Sequence, residues 1–147
     1  MNRYSKNFLK FLAVSLLLSL PSQAADRVLQ IVAPKTAKAE STVHATVMAS
    51  TKGAGVEQIG FLQVEYSVDG GENWTVVCYD ENVGAQASRA FDMKVGEAGG
   101  EAVVRARVAF RGGAAGDVGF DGNAIKWDTT WGTWDTPPAR RAVITVK

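Results

Sequence analysis

From Val28 onward, apolar residues return at every second position in run after run, and helical spacing is nowhere sustained. Successive side chains of a strand face opposite sides, so such a chain buries one face of each extended segment. Val28 to Ala33 is the first run, and Pro34 stops it. Val43, Ala45, Val47 and Ala49 alternate with His44, Thr46 and Met48. Leu62, Val64, Tyr66 and Val68 alternate with Gln63, Glu65, Ser67 and Asp69, and Trp74, Val76 and Cys78 with Thr75, Val77 and Tyr79. Ala87, Phe91, Met93 and Val95 share one parity, with Arg89 among them. Val104, Ala106, Val108 and Phe110 alternate with Arg105, Arg107 and Ala109. Ala142, Ile144 and Val146 alternate with Val143, Thr145 and Lys147. Glycine-rich turns separate the runs. The pattern predicts an all-β fold of seven antiparallel strands in two facing sheets, with a small barrel as the competitor.

The first 24 residues read differently. Arg3, Lys6 and Lys10 precede an apolar stretch from Phe11 to Leu20, then Pro21 and the small residues Ser22 and Ala24. This is the pattern of a cleaved secretory leader, too short to span a bilayer. Cleavage after Ala24 leaves one domain, residues 25–147, exported to the periplasm or beyond. It removes three basic side chains and leaves 13 against 15 acidic ones, a net −2. A mildly acidic domain has no electrostatic footprint for nucleic acid or anionic lipid. Cys78, the one cysteine, allows no internal disulfide, so packing must carry the fold. Its parity places it inward.

Ser67-Val68-Asp69-Gly70-Gly71-Glu72-Asn73-Trp74 lies between two alternating runs and predicts a hairpin turn. Its Ser67-x-Asp69-x-Gly71-x-x-Trp74 spacing resembles the Asp-box, S/T-x-D-x-G-x-x-W/F. That motif repeats in sialidase propellers and occurs singly in the immunoglobulin-like C-terminal domain of molybdenum-containing sulfite oxidases. The resemblance covers eight residues and implies a local role: Asp69 accepts backbone N–H bonds, the glycines take positive φ, and Trp74 packs over the hairpin. A single copy argues against a propeller. Together with the strand count, it favours an immunoglobulin-like or fibronectin-type sandwich.

Regular alternation breaks from Gly112 to Pro138, a stretch longer than ordinary connections. Gly122-Asn123 can close a small hairpin of two extra strands, Asp117 to Phe120 and Ala124 to Trp127. Trp127, Trp131 and Trp134 sit among polar neighbours that include Asp128 and Asp135. Indole rings stack on sugar C–H faces while carboxylates bind hydroxyls. The same rings also serve as half-buried anchors for a long loop. Asp117, Asp121, Asn123 and Asp128 are candidate calcium donors, in a spacing that fits no calcium loop. His44, the one histidine, is expected outward, and Arg105 and Arg107 are expected on a wet face beside Glu65. No catalytic motif and no cofactor signature is present. The sequence therefore predicts an exported, non-catalytic binding module with a glycan as favoured ligand. The alternative is an adaptor that docks on another exported protein through a sheet edge or the same loop.

Overall fold

The computed structural model describes residues 26–53, 55–113, 116–120, 122–125 and 140–147. The leader and the five predicted ligand-contacting residues Trp127, Asp128, Trp131, Trp134 and Asp135 lie outside them. No helix among the described residues is long and apolar enough to cross a membrane.

The described chain is all-β. Its strands are β1 (Arg27–Val32), β2 (Thr36–Ala37), β3 (Thr42–Thr51), β4 (Gly55–Ser67), β5 (Thr75–Gly84), β6 (Gln86–Lys94), β7 (Glu101–Gly113), β8 (Gly116–Gly119) and β9 (Arg140–Val146). β1-β3-β6 form the smaller sheet, and β2-β9-β7-β4-β5 form the larger one, with β8 also paired to β7. The expectation of seven antiparallel strands is corrected on two counts. Nine strands are present among the described residues, and β2 runs parallel to β9, so the larger sheet is mixed. Pro34 ends β1, yet the chain re-enters extended geometry two residues later, and Thr145 N–H donates to the Lys35 carbonyl at 3.0 Å. β8 overlaps the first of the two small strands expected around Gly122-Asn123; of the second, Ala124 forms a single bridge to Val118, and Lys126 and Trp127 lie outside the described residues.

One apolar core lies between the sheets. Val43, Ala45, Val47 and Ala49 from β3 meet Ile59, Leu62 and Val64 from β4 and Val104, Ala106, Val108 and Phe110 from β7. Tyr66 on β4 stacks on Phe91 of β6, with ring centroids 5.7 Å apart, across the gap between the sheets. β-branched residues dominate, and their stiff χ1 suits a pleated, packed surface.

Two ion pairs close the space between the sheets. Arg27 of β1 donates from Nη2 to Glu57 Oε1 of β4 at 2.5 Å and from Nε to Oε2 at 3.2 Å. The Thr51 hydroxyl also donates to Glu57. Both charged side chains are under a tenth exposed. Arg89 of β6 reaches Asp80 of β5 at 2.7 Å. This inter-sheet pair explains why a charged residue stands among the inward positions of β6.

Candidate functional site

Strand parity puts Phe61, Gln63, Glu65 and Ser67 of β4 on the face of the larger sheet that turns away from the core. Arg105, Arg107 and Ala109 of β7 stand beside them through the pairs Glu65–Arg105 and Gln63–Arg107. This face was expected to be wet, and it is not. Gln63, Glu65, Ser67 and Arg107 are all buried, Arg107 to 3 % exposure. Burial is possible because each polar group finds a partner. Arg105 donates twice to Glu65 Oε2, at 2.9 and 2.6 Å. Arg107 donates twice to Gln63 Oε1, at 3.0 and 2.6 Å, and Gln63 Nε2 donates to Glu65 Oε1 at 2.8 Å. Burial pushes the Arg107 guanidinium down from 12.5 to about 10, and the nearby Glu65 charge works the other way. Arg107 therefore stays charged at neutral pH.

Aromatic groups frame this row. The Arg105 guanidinium lies 3.6 Å from the centroid of Trp74, close enough for a cation–π contact. Phe61 meets Tyr79 edge-on, with centroids 4.3 Å apart. Tyr79 and Val76 on β5 are each 57 % exposed, and Val143 on β9 is 49 % exposed. The face thus has a polar, ion-paired middle with open apolar groups on both flanks.

The turn that delivers Trp74 has the predicted local geometry. Ser67 Oγ donates to Asp69 Oδ1 at 2.5 Å and accepts from the Gly71 N–H at 2.8 Å. Asp69 Oδ1 accepts from the N–H groups of Glu72 at 3.1 Å and Asn73 at 2.9 Å, while Asn73 Nδ2 donates to Oδ2 at 2.6 Å. The Asn73 backbone bond first, then the Ser67 hydroxyl, hold the Asp69 carboxyl far below the usual carboxylate range. Gly70 and Gly71 both take positive φ, 73° and 102°. Trp74 does not share the inward face of Cys78, as alternation implied. β5 slips register between the pairs Val64–Cys78 and Glu65–Val76, so one extra residue in β5 turns Trp74 and Val76 outward.

A short arm extends the larger sheet beside β7 and ends on the same outer face. β8 pairs with the far end of β7, Ala109 opposite Gly119 and Phe110 opposite Val118. The chain then turns at Gly122, and Gly119 N–H donates to the Asn123 carbonyl at 2.8 Å. Ile125 packs on Phe61 and Ala109. In the sequence, Trp127 follows two residues later. Of the candidate calcium donors, Asp121 and Asp128 lie outside the described residues, and Asp117 lies 3.7 Å from Arg111. No group of three or more His, Cys, Asp or Glu among the described residues is placed to hold a metal ion.

His44 points outward as expected and pairs with Asp92 at 2.8 Å. Cys78 is half-buried against the core. Burial, with the Asp80 charge second, pushes its thiol up from 9.0 to about 11, which disfavours the thiolate. Alternation placed Tyr79 outward correctly but missed Trp74 and Val76 as outward groups. The adjacent pair Val76-Val77 in an otherwise alternating run was the available sign of a bulge.

No family model matches the chain, and no curated protein matches it. Among solved structures, it is similar to superoxide reductase (neelaredoxin) from Ignicoccus hospitalis, with 16 % identity over 81 % of this chain and 80 % of that one, TM-score 0.45. A single-substitution variant of that enzyme gives 15 % identity over 81 % and 79 %, TM-score 0.47. The CARDB domain of a Pyrococcus furiosus protein, determined with di-metal ions, gives 11 % identity over 99 % of this chain and all of that one, TM-score 0.49. Likeness at this level assigns neither a family nor an activity.

Proposed function

We propose that this chain is an exported, non-catalytic binding module that recognises a glycan on the outer face of its larger sheet. Trp127, Trp131 and Trp134 would supply stacking surfaces and Asp128 and Asp135 would orient hydroxyls. The observation that carries this reading is the seat of Ile125 on Phe61 and Ala109, two residues before Trp127. Ile125 sits on Phe61, which meets Tyr79 and neighbours the Gln63–Glu65–Arg105–Arg107 row. Mixed aromatic and hydrogen-bonding surfaces of this kind suit a ligand with apolar faces and polar edges. The scaffold fits an immunoglobulin-like sandwich with an Asp-box turn. A β1-β3-β6 sheet facing β9-β7-β4-β5 follows the ABE and GFC strand orders of that fold, with β5 in the place of the extra strand after C.

A glycan array with the wild type, Trp131→Ala and Tyr79→Ala tests it. Both variants are expected to lose at least tenfold in affinity for the sugars that the wild type retains. Equal signal from all three proteins on every sugar removes the proposal. A second reading, an adaptor for another exported protein, draws on exposed Val76, Tyr79 and Val143 on the same face. Val76→Asp would abolish adaptor docking and leave a glycan signal that depends on Trp131.

A further inference from the structure

Among the described residues, five strands end a sheet: β1 and β6 in the smaller one, β2, β5 and the four-residue β8, bridged to Ala124 on its far side, in the larger. An end strand offers unpaired N–H and C=O groups to any other strand, and proteins guard such edges with charges, bulges or short length. β6 carries Arg89, Asp92 and Lys94. β5 carries Asp80 and Glu81 and has two register breaks against β4. β2 has only two residues.

β1 has none of these guards. Its pairing with β3 is unbroken over all six residues. No charge falls between Val28 and Val32, and the Arg27 charge is turned inward onto Glu57. The run Val28-Leu29-Gln30-Ile31-Val32 also reads alike in both directions: valine at each end, a γ- or β-branched aliphatic next, glutamine in the centre. Val28 and Val32 are 40 % and 48 % exposed on the side away from the core.

We propose that β1 pairs antiparallel with β1 of a second copy of this chain, about a two-fold axis through Gln30. In that register Val28 stands opposite Val32 of the second copy, Leu29 opposite Ile31, and Gln30 opposite Gln30. All four valines fall on one face, and the half-buried Ile31 is covered further. An isologous contact needs such a self-complementary patch, whereas a different partner protein would not require the strand to read the same both ways. The two three-stranded sheets join into one of six strands. Beside the axis lies a shallow trough of about 530 Å³ on each copy, floored by Met48 between Val28 and Gln30 on one side and Gln86 and Ser88 on the other. Dimerisation sets the two troughs next to each other.

Cysteine scanning tests the register. Directly opposed strand residues have Cβ atoms about 4.5–5.5 Å apart. Gln30→Cys chains are therefore expected to oxidise to disulfide dimers, as is an equimolar mixture of Val28→Cys and Val32→Cys chains. Val28→Cys alone should not, because its two thiols are four residues apart, about 13 Å. Wild type with only Cys78 is the background control. Sedimentation equilibrium adds a second readout. Val28→Lys/Val32→Lys opposes lysines at both ends and should weaken the dimer at least tenfold, while Val28→Lys/Val32→Glu should keep it. Far-UV circular dichroism confirms that each variant is folded. A wild type that stays monomeric at several hundred micromolar overturns the proposal. So does equal cross-linking of Val28→Cys and Gln30→Cys.

Discussion

Glu57 sits at the margin of the core with its side chain only 3 % exposed, so its charge depends on Arg27. The hydrogen bond from Arg27 is the main cause that keeps its carboxyl below the ordinary 4.5; burial opposes this, and Thr51 assists. Glu57→Gln keeps the shape and leaves the Arg27 charge uncompensated, so about 3 kcal/mol of stability should be lost in urea unfolding at pH 7. A carboxylate whose pKa falls on folding stabilises above its unfolded value and loses that contribution as pH drops through the folded one. The difference between wild type and Glu57→Gln should thus be full at pH 7, shrink below about pH 4.5 and vanish in stronger acid. A difference that is flat from pH 7 to pH 2 would show that the charge is not what matters there. Cys78 gives a second check at this scale. A shift from 9.0 to about 11 lowers the thiolate fraction at pH 8 roughly a hundredfold. Aromatic disulfide reagents should label the native protein at least that much more slowly than the urea-unfolded chain. Cys78 was expected inward from its parity with Trp74 and Val76, which themselves turn outward before the bulge; its place opposite the core residue Val64 is what puts it inside. Arg105 and Arg107 were not legible in the sequence, since alternation marks them as polar, and polar reads as wet. Only cross-strand register, which places Glu65 and Gln63 opposite them, shows that they can be buried at no net loss of hydrogen bonds.

At the scale of one element, the β4–β5 hairpin was the part most fully written in the chain. Ser67, Asp69 and the two glycines have local tasks, and local tasks survive without knowledge of the fold. The two glycines differ in a way that only coordinates reveal. A Cβ on Gly71 would lie 3.3 Å from Trp74 Cζ2 at a φ of 102°, whereas one on Gly70 would meet nothing within 4 Å. Gly71→Ala should therefore cost about 1–3 kcal/mol in urea unfolding, and Gly70→Asn, at φ 73°, well under half of that. Equal losses would mean that contact with Trp74 is irrelevant. The Asp69 carboxyl, held far below its usual range, should keep the turn intact in acid that already protonates Glu57. Asp69→Asn should accordingly leave the protein less stable than wild type at pH 3 as well as at pH 7. The strand that follows was misjudged for a reason of the same kind. A bulge adds one residue, and the side chains before and after it fall out of step with one alternation, a break that only the pair Val76-Val77 marks here. Trp74 and Val76 were lost to the outer surface by that single step.

For the whole molecule, alternation sufficed for the all-β class and for the inward set of β3, whose Val43, Ala45, Val47 and Ala49 are all buried. It failed to count the strands. β2 spans two residues, too few for any period, and its parallel pairing with β9 joins chain segments more than 100 residues apart. It failed equally to rank the two sheets, because the middle strands of the larger sheet are buried on both faces, while Val76, Tyr79 and Val143 stay exposed at its flanks and the smaller sheet is buried on one face. β4 and β7 lie between paired neighbours and bury both faces, with Phe61 and Ala109 fully enclosed on the side away from the core. β3 also lies between two strands, but His44 is exposed on its outer side and Met48 only half-covered. Opening β3 thus uncovers less apolar surface and fewer ion pairs than opening β4 or β7. Local openings cost least where buried contacts are few. Native-state hydrogen exchange should therefore give three tiers. Amides of β4 and β7 between Leu62 and Val64 and between Val104 and Val108 should exchange last, at the free energy of global unfolding. Those of β3 should follow, and the outward amides of β1, β5 and β6 should come first. Protection of β1 that rises with protein concentration would fit pairing between two copies. β3 amides that outlast those of β4 would contradict the view that the outer row of Gln63, Glu65, Arg105 and Arg107 completes the cover of the larger sheet.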